Sequence, residues 1–217
     1  MPRHREKAAL EGAHPVLKKD KLILHLSQTI TNLLIDMKHQ AYITQDLGHW
    51  ERARSLRPES AQLLNIVARS MGARHILEIG TSVGYSTIFL ALAAQAAGGH
   101  VTTLELMPAK FEAAKANLAQ GGLSQFVTQH LGDALELLPG LPGPWDLVFV
   151  DAEKELYEPL WLLIKDNIRP GGLVVSDNVV SHMADLLPYL RTIRADEQYD
   201  TVTVSIGSGL EFSSRHL

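Results

Sequence analysis

The chain has 217 residues, 46% hydrophobic and 20% charged, with a formal net charge of −4 and no cysteine. That composition belongs to a folded globular chain long enough for a full core, not to a disordered one. The acidic balance argues against a large nucleic-acid footprint, and the lack of cysteine excludes disulfides, thiolate metal sites and a cysteine nucleophile.

The basic start "MPRHREKAAL" is followed by no apolar run of signal-peptide length. No later stretch approaches the roughly 20 apolar residues of a membrane span. The expectation is a cytoplasmic protein with no membrane or nucleic-acid partner, loose over residues 1 to about 15. From Val16 to Tyr42 the pattern is helical, with Leu22, Leu26, Ile30, Leu33 and Met37 on one stripe. That stripe reads as packed on the chain's own core, with a dimer contact as the second reading. Pro58 and Gly72 bracket a second helix.

After Gly72 the period changes. Strands read at "HILEIG", "HVTTLEL", "FVTQHL", "WDLVFVDA" and "GGLVVSDNV". Between them lie helices at "YSTIFLALAAQA", at "PAKFEAAKANLAQGG", a short one from Asp133, and one through Asn167. A helix from about His182 to Ala195 and two strands, "YDTVTVSI" and "LEFSSR", close the chain. This alternation predicts an α/β fold: a Rossmann-like, doubly wound, mostly parallel seven-stranded sheet, with one antiparallel edge strand signalled by "GSG". Residues 1–217 are expected to form one domain, a tail and helical extension over 1–57 and the core over 58–217.

In such a fold ligands bind at the carboxyl ends of the strands. Gly80, Glu105, Asp133, Asp151 and Asp177 would share that rim. In "LEIGTSVGYS", Gly80 suits a tight turn and Gly84 a close approach at a helix start. Glu105 ends the next strand, where an acid can accept ribose hydroxyls or cap the following helix. Asp133 invites the same two readings, with adenine as the ligand. A glycine loop and a ribose acid fit a nicotinamide cofactor or S-adenosylmethionine. Glu78, two residues before Gly80 and inside the turn, favours the sulfonium cation.

Asp151 stops an apolar strand and Lys154 follows it. Asp177 and Asn178 end the next strand. These oxygens suit Mg²⁺ or a similar divalent ion, provided the fourth and fifth strands are neighbours; helix capping and an ordinary turn are the plainer explanations. With an ion present, a vicinal diol bound to it would be acidified, and Lys154 would be placed to take the proton.

The motifs "LEIGTSVGYSTIFLA", "TLELMPAKFEAAKANL", "GDALELLP", "DLVFVDAEKELY", "RPGGLVVSDNVV" and "IGSGLEFSSR" together resemble the cation-dependent class I O-methyltransferases, the catechol and caffeoyl-CoA group. The resemblance runs from about Pro58 to the C-terminus and is nearest to the bacterial members. It implies S-adenosylmethionine bound by Glu78, Gly80, Ser82, Ser86, Glu105, Asp133, Ala134 and Asp151. It also implies Mg²⁺ on Asp151, Asp177 and Asn178, Lys154 as catalytic base with Asp151 beside it, Glu211 meeting an acceptor hydroxyl, and a homodimer. Trp50, Tyr157 and Trp161 are candidates for an aromatic acceptor wall, with core packing the stronger reading for Trp161. The stretch before Pro58 lacks the family's Met-containing segment, so the acceptor stays open between catechol-like and hydroxycinnamoyl-like molecules. Two other readings remain: an NAD(P)-dependent oxidoreductase, and a non-catalytic S-adenosylmethionine-binding protein.

Overall fold

The computed structural model describes residues 26–44, 46, 48 and 55–217. Helix α1 spans Gln28–Ile43; Ser27 stands before it and accepts the Ile30 N–H at 3.3 Å. A serine there satisfies one of the orphan N–H groups of a first turn. Its buried face is Ile30, Leu33, Leu34 and Met37. The expected start at Val16, together with Leu22 and Trp50, lies outside the described residues.

After α2 (Pro58–Ser70), strands and helices alternate as β1 (His75–Ile79), α3 (Tyr85–Ala97), β2 (His100–Glu105), α4 (Pro108–Gln120), β3 (Val127–Leu131), α5 (Ala134–Leu137), β4 (Trp145–Val150), α6 (Tyr157–Ile164), β5 (Ile168–Ser176), α7 (Met183–Arg194), β6 (Tyr199–Val204) and β7 (Leu210–Arg215). Some boundaries depart from the sequence reading by up to about three residues. The helix expected through Asn167 ends at Ile164 and tightens into a 3₁₀ turn, and β5 begins at Ile168 rather than Gly171.

The sheet order is β3-β2-β1-β4-β5-β7-β6. Strands β1 to β5 pair in parallel, while β7 runs against both β5 and β6. The antiparallel element expected at that edge is therefore the β6–β7 hairpin, with β6 outermost. Strand alternation sends neighbouring residues to opposite faces. Ile76, Val101, Leu147, Phe149 and Val175 pack against α1 to α4. Leu77, Ile79, Leu104, Val148, Val150 and Val174 pack against α5, α6 and α7. Helix α3 is apolar nearly all round because it lies between the sheet and α2, where the Asn65 side chain donates to Phe89 O at 2.7 Å.

The amino ends of the central strands are clamped. Trp145 pairs with Ile168 but Leu147 pairs with Leu173, so residues 169–172 bulge out of β5. Asp146 accepts the Arg74 and His75 N–H groups at 2.7 and 2.8 Å and pairs with the bulged Arg169. Burial pushes its carboxyl up, but the His75 and Arg74 amides and the Arg169 guanidinium prevail and hold it below the usual carboxylate range.

Candidate active site

Two cavities open side by side at the carboxyl ends of β1, β2, β4 and β5. The first is formed by the loops after β1, β2, β3 and β4, and is lined by Gly80, Ser82, Glu105, Met107, Asp133, Ala134 and Asp151 among others. Gly80 must be glycine twice over. Its φ is +100°, and a Cβ would stand 2.1 Å from the Asp151 carbonyl oxygen. Ser82 also takes a left-handed φ of 48°, which turns its N–H onto Glu105 Oε2 at 2.7 Å. Met107 N–H reaches the other oxygen at 2.8 Å. Two backbone amides thus fix the Glu105 carboxylate on the cavity wall. Asp133 lines the cavity and also caps α5, accepting the Leu135 N–H at 2.8 Å, so the two readings of that residue coexist.

Glu78 lies beneath the loop with no exposed surface. Ser86, Thr87 and Thr103 hydroxyls donate to its carboxylate at 2.6, 2.5 and 2.6 Å. Burial raises its carboxyl to about 7 against the pull of these hydroxyls, with Asp151 adding repulsion. Glu78 and Ser86 are therefore brought to each other under the loop. Thr87 and Thr103 were not foreseen from the sequence, although hydroxyls in an otherwise apolar helix start and strand were a usable signal.

The second cavity is lined by Ser55, Leu56, Arg57, Asp151, Lys154, Asp177, Asn178, His182, Asp185 and Ser208 among others. Because β4 and β5 are neighbours, Asp151 and Asp177 leave the sheet side by side; their N–H groups bond Ile79 O and Val150 O at 2.9 and 3.0 Å. Asn178, at φ 68°, turns its amide between the two carboxylates, 2.8 Å from Asp151 Oδ1 and 3.2 Å from Asp177 Oδ2. Asp177 is 4% exposed, and its Oδ1 is buried with no hydrogen-bond partner. Burial first, then repulsion from Asp151, pushes its carboxyl up to about 7, against the Asn178 N–H and Lys154. Lys154 Nζ sits 3.8 Å from Asp151 Oδ1, donates to Ala152 O at 2.8 Å and stands 3.4 Å from the Tyr157 hydroxyl.

A buried, unpartnered carboxylate oxygen beside a second carboxylate and an amide fits a hard divalent cation. Among the described residues no group of three or more His, Cys, Asp or Glu side chains forms a metal cluster, so the donor set is two carboxylates and an amide.

Glu211 is a correction to the sequence reading: the structure brings it to neither cavity. It is fully buried on β7, where Arg194 Nε and Nη2 hold its carboxylate at 2.7 and 3.1 Å and the Thr203 hydroxyl bonds it too. Tyr157 and Trp161 are core residues of α6, Tyr157 bonding Asp177 O from below at 3.1 Å. Ser55, Arg57, His182, Asp185 and Ser208 were not singled out from the sequence; they come from three separate segments that only the fold brings together.

Residues 77–179 match the family described as a methyltransferase domain. The chain is 37% identical over 132 residues to a catechol O-methyltransferase of Niastella koreensis, covering 59% of each. It is 41% identical over 123 residues to the catechol O-methyltransferase of Mycobacterium tuberculosis, covering 56% of each. The match thus spans somewhat over half the length of these relatives. Among solved structures, the O-methyltransferase TomG of Streptomyces achromogenes, involved in tomaymycin synthesis and in complex with S-adenosylmethionine, superimposes with a TM-score of 0.76 at 28% identity, covering 90% of this chain and 94% of that one.

Proposed function

We propose that the chain is a class I S-adenosylmethionine-dependent O-methyltransferase that moves the sulfonium methyl group to one hydroxyl of a small acceptor with vicinal hydroxyls, catechol-like or hydroxycinnamoyl-like, a reading supported by the methyltransferase-domain match and the catechol O-methyltransferase relatives. The observation that carries this reading is the junction of the two cavities. Asp151 belongs to both, and Lys154, Asp177 and Asn178 stand on the second.

In this reading the first cavity takes the cofactor. Gly80 and Ser82 lie along its methionine side, Glu105 accepts the ribose hydroxyls with its remaining lone pairs, and Asp133 and Ala134 flank the adenine. Ser86 and Glu78 act from beneath the loop. Asp151, Asp177 and Asn178, its side-chain amide turned over so that Oδ1 replaces the Nδ2 that faces the two carboxylates, would hold a divalent ion such as Mg²⁺ on the acceptor side. Bound there, such an ion would draw charge from two acceptor oxygens and make the hydroxyl more acidic.

Lys154 in its amine form takes the hydroxyl proton at Nζ, with Ala152 O holding that nitrogen in place. The acceptor oxygen then bonds to the methyl carbon as the carbon–sulfur pair returns to sulfur, leaving a neutral thioether. Most of the acceleration comes from positioning the two molecules across Asp151. A nicotinamide-dependent oxidoreductase would leave Lys154, Asp177 and Asn178 without a shared task. A homodimer belongs to the same proposal, with exposed Tyr42 and Ile43 at the end of α1 as available apolar surface.

The test is methyl transfer to a panel of catechols and hydroxycinnamoyl thioesters, with Mg²⁺ and then with chelator, for the native chain and Lys154→Met. Chelator is expected to abolish turnover and Mg²⁺ to restore it. Lys154→Met is expected to lower kcat by about 10²–10⁴ with S-adenosylmethionine affinity unchanged. Equal turnover in chelator would remove the ion from the mechanism, and an undiminished kcat in the variant would remove the base.

A further inference from the structure

We propose that Lys38 is a positioning residue for the acceptor, holding the Ser55–Arg57 segment in place as a wall of the second cavity from the neighbouring helix α1. The inference rests on that cavity being the acceptor site.

The segment 55–57 precedes α2 and has no regular secondary structure of its own, yet all three residues line the cavity. Extended backbone of this kind needs outside partners for its carbonyls. Among the described residues, the hydrogen bonds to the Ser55 and Leu56 carbonyls come from Lys38: Nζ lies 2.5 Å from Leu56 O and 3.5 Å from Ser55 O. The same ammonium stands 4.2 Å from the centroid of the Tyr85 ring. Tyr85 is the first residue of α3, directly after the glycine loop that walls the first cavity.

One side chain therefore ties three things together: α1, the acceptor wall and the end of the cofactor loop. Its base is firm, because Leu33, Leu34 and Met37 on the preceding turn are buried in the core. An ammonium donating to carbonyls and seated on an aromatic face makes stronger contacts than a neutral donor would. The wall it holds carries polar groups that can meet an acceptor. Among the described residues, Ser55 Oγ is buried with no partner, and Arg57 makes no side-chain cap to α2.

This role differs from plain support of the fold in what it affects. Loosening the wall weakens acceptor binding while leaving Asp151, Lys154 and the cofactor loop assembled. General destabilisation would weaken both substrates together.

The experiment uses the full chain and two variants, Lys38→Met, which keeps length without a donor, and Lys38→Arg, which keeps the charge. Steady-state kinetics give acceptor KM and kcat, calorimetry gives the S-adenosylmethionine Kd, and amide hydrogen exchange reads the backbone of residues 55–57. In Lys38→Met the acceptor KM is expected to rise about tenfold, the loss of one charged hydrogen bond, with kcat and cofactor Kd within about twofold. Exchange at residues 55–57 should accelerate, and Lys38→Arg should recover much of both effects. An unchanged acceptor KM with unchanged exchange would overturn the proposal, and so would a parallel weakening of acceptor and cofactor. If the native chain binds S-adenosylmethionine but methylates no acceptor, the O-methyltransferase reading fails separately, and exchange at residues 55–57 then decides whether Lys38 holds the wall.

Discussion

Replacing Glu78 by Gln probes the buried network under the cofactor loop, because the change keeps shape and removes ionisation. The folded carboxyl titrates near 7 rather than 4.5, so between those values the folded chain holds a proton that the unfolded chain has released. The sign follows from linkage: this group's contribution to stability is full below about pH 4.5 and is lost as pH rises through about 7. A rise of about 2.5 pH units at about 1.4 kcal/mol each sets the size at about 3.5 kcal/mol, as an upper bound. The Asp177 carboxyl rises in the same window, so the native curve contains both contributions and only the difference from the variant isolates Glu78. Gln still accepts hydroxyl donors at its carbonyl and can donate to a hydroxyl lone pair, so part of the Ser86, Thr87 and Thr103 network survives. Urea denaturation at pH 5, 6, 7 and 8, with the m-value checked at each, should show native stability falling toward pH 8 and a flatter profile for Glu78→Gln. Parallel profiles would refute the claim that Glu78 carries a proton into the fold.

Three further outcomes follow from the geometry. Gly80→Ala places a Cβ on the Asp151 carbonyl at a left-handed φ, so calorimetry should show at least about a tenfold loss of S-adenosylmethionine affinity, with a lower melting temperature. Glu211→Gln removes the charge facing Arg194; because Arg194 is half-exposed, the loss in denaturation should be about 1–2 kcal/mol, while acceptor KM stays unchanged. Burial, then Arg57, lowers the Lys38 ammonium to about 8 against Glu59, with the Tyr85 ring as the remaining face. Raising the pH from 7 to 9 should therefore increase the native acceptor KM toward that of Lys38→Met, which should not itself show the change.

Much of this site was legible in the chain because its residues sit where the period of the sequence changes. Gly80, Glu105, Asp133, Asp151 and Asp177 each close an apolar run, and a parallel sheet carries such positions to one rim. Strand order was not legible, and the pairing of Asp151 with Asp177 depends on it. Glu78 was read as part of the turn, but as a strand residue it points under the loop, where three hydroxyls from α3 and β2 meet it. Glu211 was misread for a related reason. "LEFSSR" alternates well enough to be a strand, yet nothing in it says that the acid faces Arg194 rather than a cavity. The wall at Ser55–Arg57 and the His182 and Asp185 side chains belong to segments far apart in the chain, so no local pattern could join them.

The Asp146 clamp gives the sheet two ends with opposite duties. At the amino ends one low-lying carboxylate gathers two backbone amides and a guanidinium, an arrangement in which every charge is answered. At the carboxyl ends Glu78 and Asp177 are both raised by burial first and by repulsion from Asp151 second. Robustness and reactivity are thus held about one strand length apart, and a chain can drift at one end without undermining the other. Variants along the Ser55–Arg57 wall should shift acceptor preference before they lower the melting temperature. A single change at Asp146 should do the reverse.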